Sequence, residues 1–163
     1  MKVKGIISED FVNYKKICMT IEMPYCTFKC DRDCGQQICQ NSSLALAPTH
    51  NILDTEIITM YKNNNITDAI CFQGLEPFDS PDDLRNFVHL LRHEYNIYDD
   101  IVIYTGYTKE ELEPTGLISR LKAEAGINLI IKYGRFVPGC EKHFDEVLGV
   151  YLSSDNQYAE RIC

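Results

Sequence analysis

Ala69-Ile70-Cys71-Phe72-Gln73-Gly74-Leu75-Glu76-Pro77-Phe78-Asp79-Ser80-Pro81-Asp82-Asp83 carries a strand, a turn and a helix start in succession. Ala69 to Phe72 is a short apolar run, the mark of a strand buried on both faces. Ser80 is a favoured N-cap, Pro81 suits the first helical position, and Asp82 and Asp83 face the positive end of the helix dipole. Leu84, Phe87, Val88 and Leu91 then recur at helical spacing. The unit is strand, turn, helix, and strands and helices alternate along the rest of the chain without any internal sequence repeat.

Upstream, Ile17 to Ile21 reads as a strand, and Asp54 can cap a helix with Ile57, Ile58 and Tyr61 on one face. Downstream, Ile101 to Tyr104 is another buried strand. Thr108 and Glu111 have the spacing of a capping box. Pro114 should interrupt that helix before Leu117 to Ala125 resumes. Leu129 to Ile131 is a further strand, and Val147 to Leu152 reads as the last. Strands alternating with helices imply βαβ crossovers, so the fold class is α/β with a mostly parallel sheet. Such sheets bind ligands beyond the carboxyl ends of their strands. Five polar or Gly-bearing segments follow the predicted strands: the loop after Ile21, Gln73–Pro77, Thr105–Tyr107, Tyr133–Arg135 and Ser153–Gln157.

The loop after Ile21 holds Cys26, Cys30, Cys34 and Cys39, with gaps of three, three and four residues. Thiolates packed this closely suit an iron–sulfur cluster or zinc, and the cysteines alone leave both open. The chain has 163 residues, 45 % of them apolar, which predicts one domain over 1–163. The start, Met1-Lys2-Val3-Lys4 and then Ser8-Glu9-Asp10, lacks the apolar core of a secretion signal, and no apolar run is long enough to cross a bilayer. Eight cysteines without an export signal predict a reducing, cytoplasmic setting in which thiols bind metals. A net charge of −8 argues against a nucleic-acid surface. Cys18 and Cys71 fall in strands and read as small buried hydrophobes. His89 and His93 lie away from the predicted buried helix face and read as a solvated pair. Tyr104, Tyr107 and Phe136 read as core.

The ordered segments resemble the radical S-adenosylmethionine (SAM) superfamily, in particular the activating proteins of anaerobic ribonucleotide reductase. Cys26-x-x-x-Cys30 is similar to the start of that superfamily's cluster motif. Gly74-Leu75-Glu76-Pro77 resembles its Gly-Gly-Glu-Pro, Tyr104-Thr105-Gly106-Tyr107 its Tyr/Trp-Thr-Gly-Tyr, Gly134-Arg135-Phe136-Val137 its Gly-Lys/Arg-Phe-Val, and Ser153-Ser154-Asp155-Asn156-Gln157 its Ser-Ser-Asn-Gln. The resemblance runs from about Cys18 to Gln157.

Two departures stand out. The family leaves two residues between its second and third cysteines, whereas eight separate Cys30 from Cys39 and three separate it from Cys34. Cys39-Gln40-Asn41-Ser42 is similar to the family's third-cysteine segment, so Cys39 is preferred to Cys34 as the third ligand, with a six-residue insertion within Asp31–Ile38. Leu75 replaces the second glycine, and its Cβ restricts the backbone there.

The resemblance implies a partial (β/α) barrel and a [4Fe–4S] cluster on Cys26, Cys30 and Cys39, with one iron left for SAM. Reductive cleavage of SAM would give methionine and a 5′-deoxyadenosyl radical that takes a hydrogen atom from a substrate. Ile38, Gln40, Gly74, Glu76, Thr105 and Gly106 would bind SAM, with Glu76 receiving its ammonium. The implied partners are a glycyl-radical enzyme and a reducing protein such as flavodoxin or ferredoxin. SAM chemistry on a small molecule or peptide, and a zinc or iron–sulfur binding module without catalysis, are the alternatives.

Overall fold

The computed structural model describes residues 1–163. In chain order the strands are β1 (Lys2–Val3), β2 (Gly5–Asp10), β3 (Cys18–Met23), β4 (His50–Asn51), β5 (Ala69–Gly74), β6 (Asp100–Tyr104), β7 (Leu129–Tyr133), β8 (His143–Asp145), β9 (Val150–Leu152) and β10 (Tyr158–Arg161). The helices are α1 (Lys29–Cys34), α2 (Ser42–Leu46), α3 (Asp54–Asn63), α4 (Pro81–His89, continued by a wider π turn over Leu90–Glu94), α5 (Lys109–Leu112) and α6 (Leu117–Ala125).

Six strands form one sheet in the order β10-β7-β6-β5-β3-β2. The three central pairings, β3 with β5, β5 with β6 and β6 with β7, are parallel, while β2 and β10 pair antiparallel at the two edges. The mostly parallel α/β sheet predicted from the alternation is present, and it stays open, with no closure into a barrel. Met23 stands opposite Gly74 and Tyr104 opposite Lys132, so the loops after the four parallel strands leave at one level.

Side chains alternate between the two faces of the sheet. Met19, Ile21, Phe72, Ile101, Ile103 and Ile131 pack with the helices in a core of 22 buried residues. Phe72 meets Phe87 edge-on at 5.7 Å, a contact worth about 0.5–1.5 kcal/mol beyond area burial. Cys18, Cys71, Val102 and Ile130 face the other way, under Tyr14, Leu148 and Leu152. Cys18 and Cys71 are wholly buried there.

Several local readings are met and others corrected. Thr108 and Glu111 form both arms of the capping box, and Pro114 lies in a 3-10 turn before α6. Ser80 occupies the N-cap position, but its buried hydroxyl makes no capping bond, so Pro81 and the two acids start α4. Asp54 is inside α3 and accepts from the Met1 ammonium at 2.5 Å instead of capping. Val147–Leu152 is not the last strand. Only Val150–Leu152 is extended, and it pairs with β8 in a separate hairpin. The last strand is β10, which Tyr158-Ala159-Glu160-Arg161 does not betray because an edge strand buries little and keeps charged residues.

Candidate functional site

The loops at the carboxyl rim enclose a cavity of about 330 Å³, at the small end of the range for cofactor sites. Cys26, Cys30 and Cys39 line it. Cys34 is exposed and does not line it.

The path of the cysteine loop has local causes. Phe28 adopts a left-handed backbone (φ 52°), costing about 1–2 kcal/mol for a residue with a Cβ. It turns the chain between Cys26 and Cys30 and lets the Phe28 N–H donate to Cys26 Sγ at 3.2 Å. Residues 29–34 fold as α1, stopped by Gly35 in the left-handed region. Asp31 then ties the chain beyond α1 back to the helix: Oδ1 accepts from the N–H groups of Ile38 at 2.9 Å and Cys39 at 2.8 Å. Lys29 and Asp33 on α1 join Glu111 and Arg135 in an ion cluster; the Arg135 guanidinium lies 2.9 Å from both Glu111 oxygens and 3.4 Å from Asp33. The loop is also tied to β5, because the Glu76 N–H donates to Tyr25 O at 2.8 Å and Asn41 Nδ2 to Gly74 O at 2.6 Å.

Gly74 is required at that junction. Its φ is +86°, and a Cβ would come within 2.9 Å of Leu44 Cδ2 and 3.1 Å of Glu22 Cα. Leu75, by contrast, keeps an ordinary negative φ and is buried, so the missing second glycine does not strain the turn.

Glu76 is the most constrained polar group. Its Oε1 accepts from Thr105 Oγ1 at 2.7 Å and the Phe78 N–H at 3.0 Å, and Oε2 from the Gly106 N–H at 2.8 Å. Burial outweighs these donors and pushes the carboxyl up to about 7. An ionised carboxylate offers about four acceptor positions, and three are filled. The Phe78 bond also makes Glu76 the cap of a 3-10 turn over Pro77–Asp79.

All the residues assigned to SAM, namely Ile38, Gln40, Gly74, Glu76, Thr105 and Gly106, border the cavity. The Ile38 and Cys39 N–H groups are occupied by Asp31 and the Cys39 carbonyl accepts from the Ser42 N–H at 3.4 Å, leaving the Ile38 and Gln40 carbonyls and the Gln40 N–H for a ligand. Tyr104, Tyr107 and Phe136, read as core, border the cavity too. Ser153–Gln157 reaches the rim from the β8–β9 hairpin, not from a parallel strand, held by Gln157 Nε2 on Gly134 O and Asn156 Nδ2 on Arg135 O.

Sequence reading gave no role to Asp31 or Lys132 and placed Arg135 only within the Gly134–Val137 segment. Lys132 is 5 % exposed, borders the cavity, donates to Gly134 O at 2.6 Å and lies over the Tyr104 ring. Burial lowers its ammonium to about 7, and Glu76 only partly offsets this. A lone Lys at the end of an apolar run was the available signal.

The donor set suits a metal group. Three sulfurs border one space, and burial pushes the Cys26 thiol up to about 12 and, with neighbouring Cys39, the Cys30 thiol to about 11. Such thiols lose their protons on binding a metal. No helix is long and apolar enough to cross a membrane. The chain has no significant match among curated proteins or solved structures. Residues 17–155, most of its length, match the family model described as a 4Fe-4S single cluster domain, and with its cysteine-lined cavity the chain belongs to that family of iron–sulfur proteins.

Proposed function

We propose that this chain is a radical SAM enzyme of partial-barrel type, in which Cys26, Cys30 and Cys39 hold one [4Fe–4S] cluster and SAM occupies the adjoining cavity. Its substrate is a glycyl-radical enzyme of the anaerobic ribonucleotide reductase kind. Its setting is the cytoplasm, and its electron comes from a flavodoxin- or ferredoxin-like protein. One observation carries the reading: three cysteines share a single cavity with the Gly74–Glu76 turn and with Thr105 and Gly106. Zinc needs none of those neighbours.

When bound, the cluster and SAM supply one-electron reductive cleavage of the sulfonium C–S bond and, through it, hydrogen-atom abstraction. The chain's own residues bind and orient. Glu76, already fixed by three donors, offers its remaining acceptor position to the SAM ammonium. Gly74, with no side chain, keeps the turn close to the cysteine loop. In this reading a protein loop enters from the side that the open sheet leaves unclosed.

A second reading keeps this chemistry and changes the substrate to a small molecule with an anionic group. The buried Lys132 ammonium on the cavity wall favours it.

The test is anaerobic. Protein with a reduced cluster should convert SAM to methionine and 5′-deoxyadenosine. Glu76→Ala should bind SAM about ten- to a hundredfold more weakly, the effect of one charge-assisted bond of roughly 1.5–3 kcal/mol. Absence of cleavage with an intact reduced cluster and a candidate glycyl-radical partner would favour a non-catalytic binding module.

A further inference from the structure

His89 ends α4, and His93 lies four residues on, in the π turn. A third group joins them from α6. Glu124 Oε2 lies 2.9 Å from His89 Nδ1 and 3.8 Å from His93 Nε2, and the two imidazole rings are 4.7 Å apart. All three donor atoms fall within 4.8 Å of one another. Around a tetrahedral zinc ion with bonds of roughly 2.0–2.1 Å, neighbouring donors stand about 3.3 Å apart. The two Glu124 separations bracket that value, and the widest donor separation, up to 4.8 Å, has to close by as much as about 1.5 Å for all three to reach one ion.

The helices that carry these groups are fixed from below. Leu84, Phe87 and Val88 of α4 share the main core with Leu121 and Ala125 of α6. Arg92, 3 % exposed, locks the junction further. Its guanidinium donates to Ala125 O at 3.0 Å, Ile127 O at 3.1 Å, Asp99 O at 3.0 Å and Ile97 O at 2.5 Å. The turn that presents His93 is therefore bonded to the residue after Glu124. Such pre-positioning sets a metal site apart from a casual surface ion pair.

We propose that His89, His93 and Glu124 form a second metal site, for a divalent first-row transition ion such as Zn²⁺, distinct from the cysteine loop. Two imidazoles and a carboxylate suit zinc, cobalt, nickel or copper, whereas magnesium and calcium take oxygen donors. None of the three residues borders the cysteine cavity, so the proposal stands independently of the radical SAM reading. The bound ion ties α4 to α6 and leaves at least one coordination position to solvent.

The experiment is a calorimetric titration of the anaerobically purified, cluster-loaded protein with Zn²⁺, with Co²⁺ as a spectroscopic substitute. One ion should bind per chain in addition to the cluster iron, and the cobalt spectrum should show nitrogen and oxygen coordination without sulfur-to-cobalt charge transfer. His93→Ala and Glu124→Gln alter partly exposed side chains and should each lower affinity by at least about tenfold, since even supporting partners of a metal ligand are worth 10–100-fold. Cys34→Ala and Cys140→Ala should leave it unchanged. No binding, equal affinity in wild type and His93→Ala, or sulfur bands in the cobalt spectrum would each overturn the proposal. Unchanged affinity in Glu124→Gln would overturn the three-donor site.

Discussion

Replacing Glu76 by Gln tests the central electrostatic feature of the site without touching a cysteine. Burial raises the folded Glu76 carboxyl from 4.5 to about 7. Between those values the folded protein holds a proton that the unfolded chain has released, so stability falls as pH rises. The Glu76 contribution is fully present below about pH 4.5 and is lost as pH passes through about 7. At about 1.4 kcal/mol for each tenfold change in proton affinity, the loss is ~3 kcal/mol. Glutamine does not titrate. Its carbonyl can still accept from Thr105 and Phe78, but its NH₂ meets the Gly106 N–H and leaves that donor unpaired, an offset of about 1–3 kcal/mol at every pH. The quantity to read is therefore the change in the stability difference with pH. Lys132, lowered by burial from 10.5 to about 7, has the opposite sign: its stability is present above 10.5 and lost as pH falls through about 7. Urea unfolding of metal-free wild type and Glu76→Gln from pH 4.5 to 7 should show wild type losing ~3 kcal/mol relative to the variant. Parallel curves would refute the reasoning and mean that the three donors hold Glu76 ionised throughout.

The remaining predictions concern the loop. Cys26→Ala, Cys30→Ala and Cys39→Ala should each abolish cluster assembly, and Cys34→Ala should retain about four iron and four sulfide per chain; the reverse result for Cys34 and Cys39 would overturn the ligand assignment. Asp31→Ala should reduce iron and sulfide content by freeing the Ile38 and Cys39 N–H groups, each bond to the carboxylate being worth about 1.5–3 kcal/mol, with Asp31→Asn intermediate; unchanged content would mean that Cys39 is positioned without Asp31. Gly74→Ala should destabilise the fold by about 1–3 kcal/mol, seen as a lower urea midpoint, because its φ is +86° and Leu44 and Glu22 crowd the new Cβ; an unchanged midpoint would show that the turn relaxes freely.

The chain's own periodicity was enough to reveal the central strands, because β3, β5, β6 and β7 are buried on both faces and read as apolar runs. The Thr108–Glu111 capping box and the Pro114 break were also legible, being decided by residues a few positions apart. Tertiary structure decided the rest. The edge strands β2 and β10 escape a periodicity argument because only pairing makes them strands. On paper only the likeness of Cys39-Gln40-Asn41-Ser42 to a family segment separates Cys39 from Cys34. In the fold, Asp31 holds the Ile38 and Cys39 N–H groups, Cys39 lines the cavity and Cys34 is exposed. Glu76 looks like a turn residue until Thr105 and Gly106 arrive from the next strand. His89 and His93 gain a third donor only when α6 packs on α4. Local sequence determines which backbone each segment prefers, since caps and periods act over a few residues. Which side chains share a space depends on contacts between segments tens of residues apart, and those exist only once the sheet has formed.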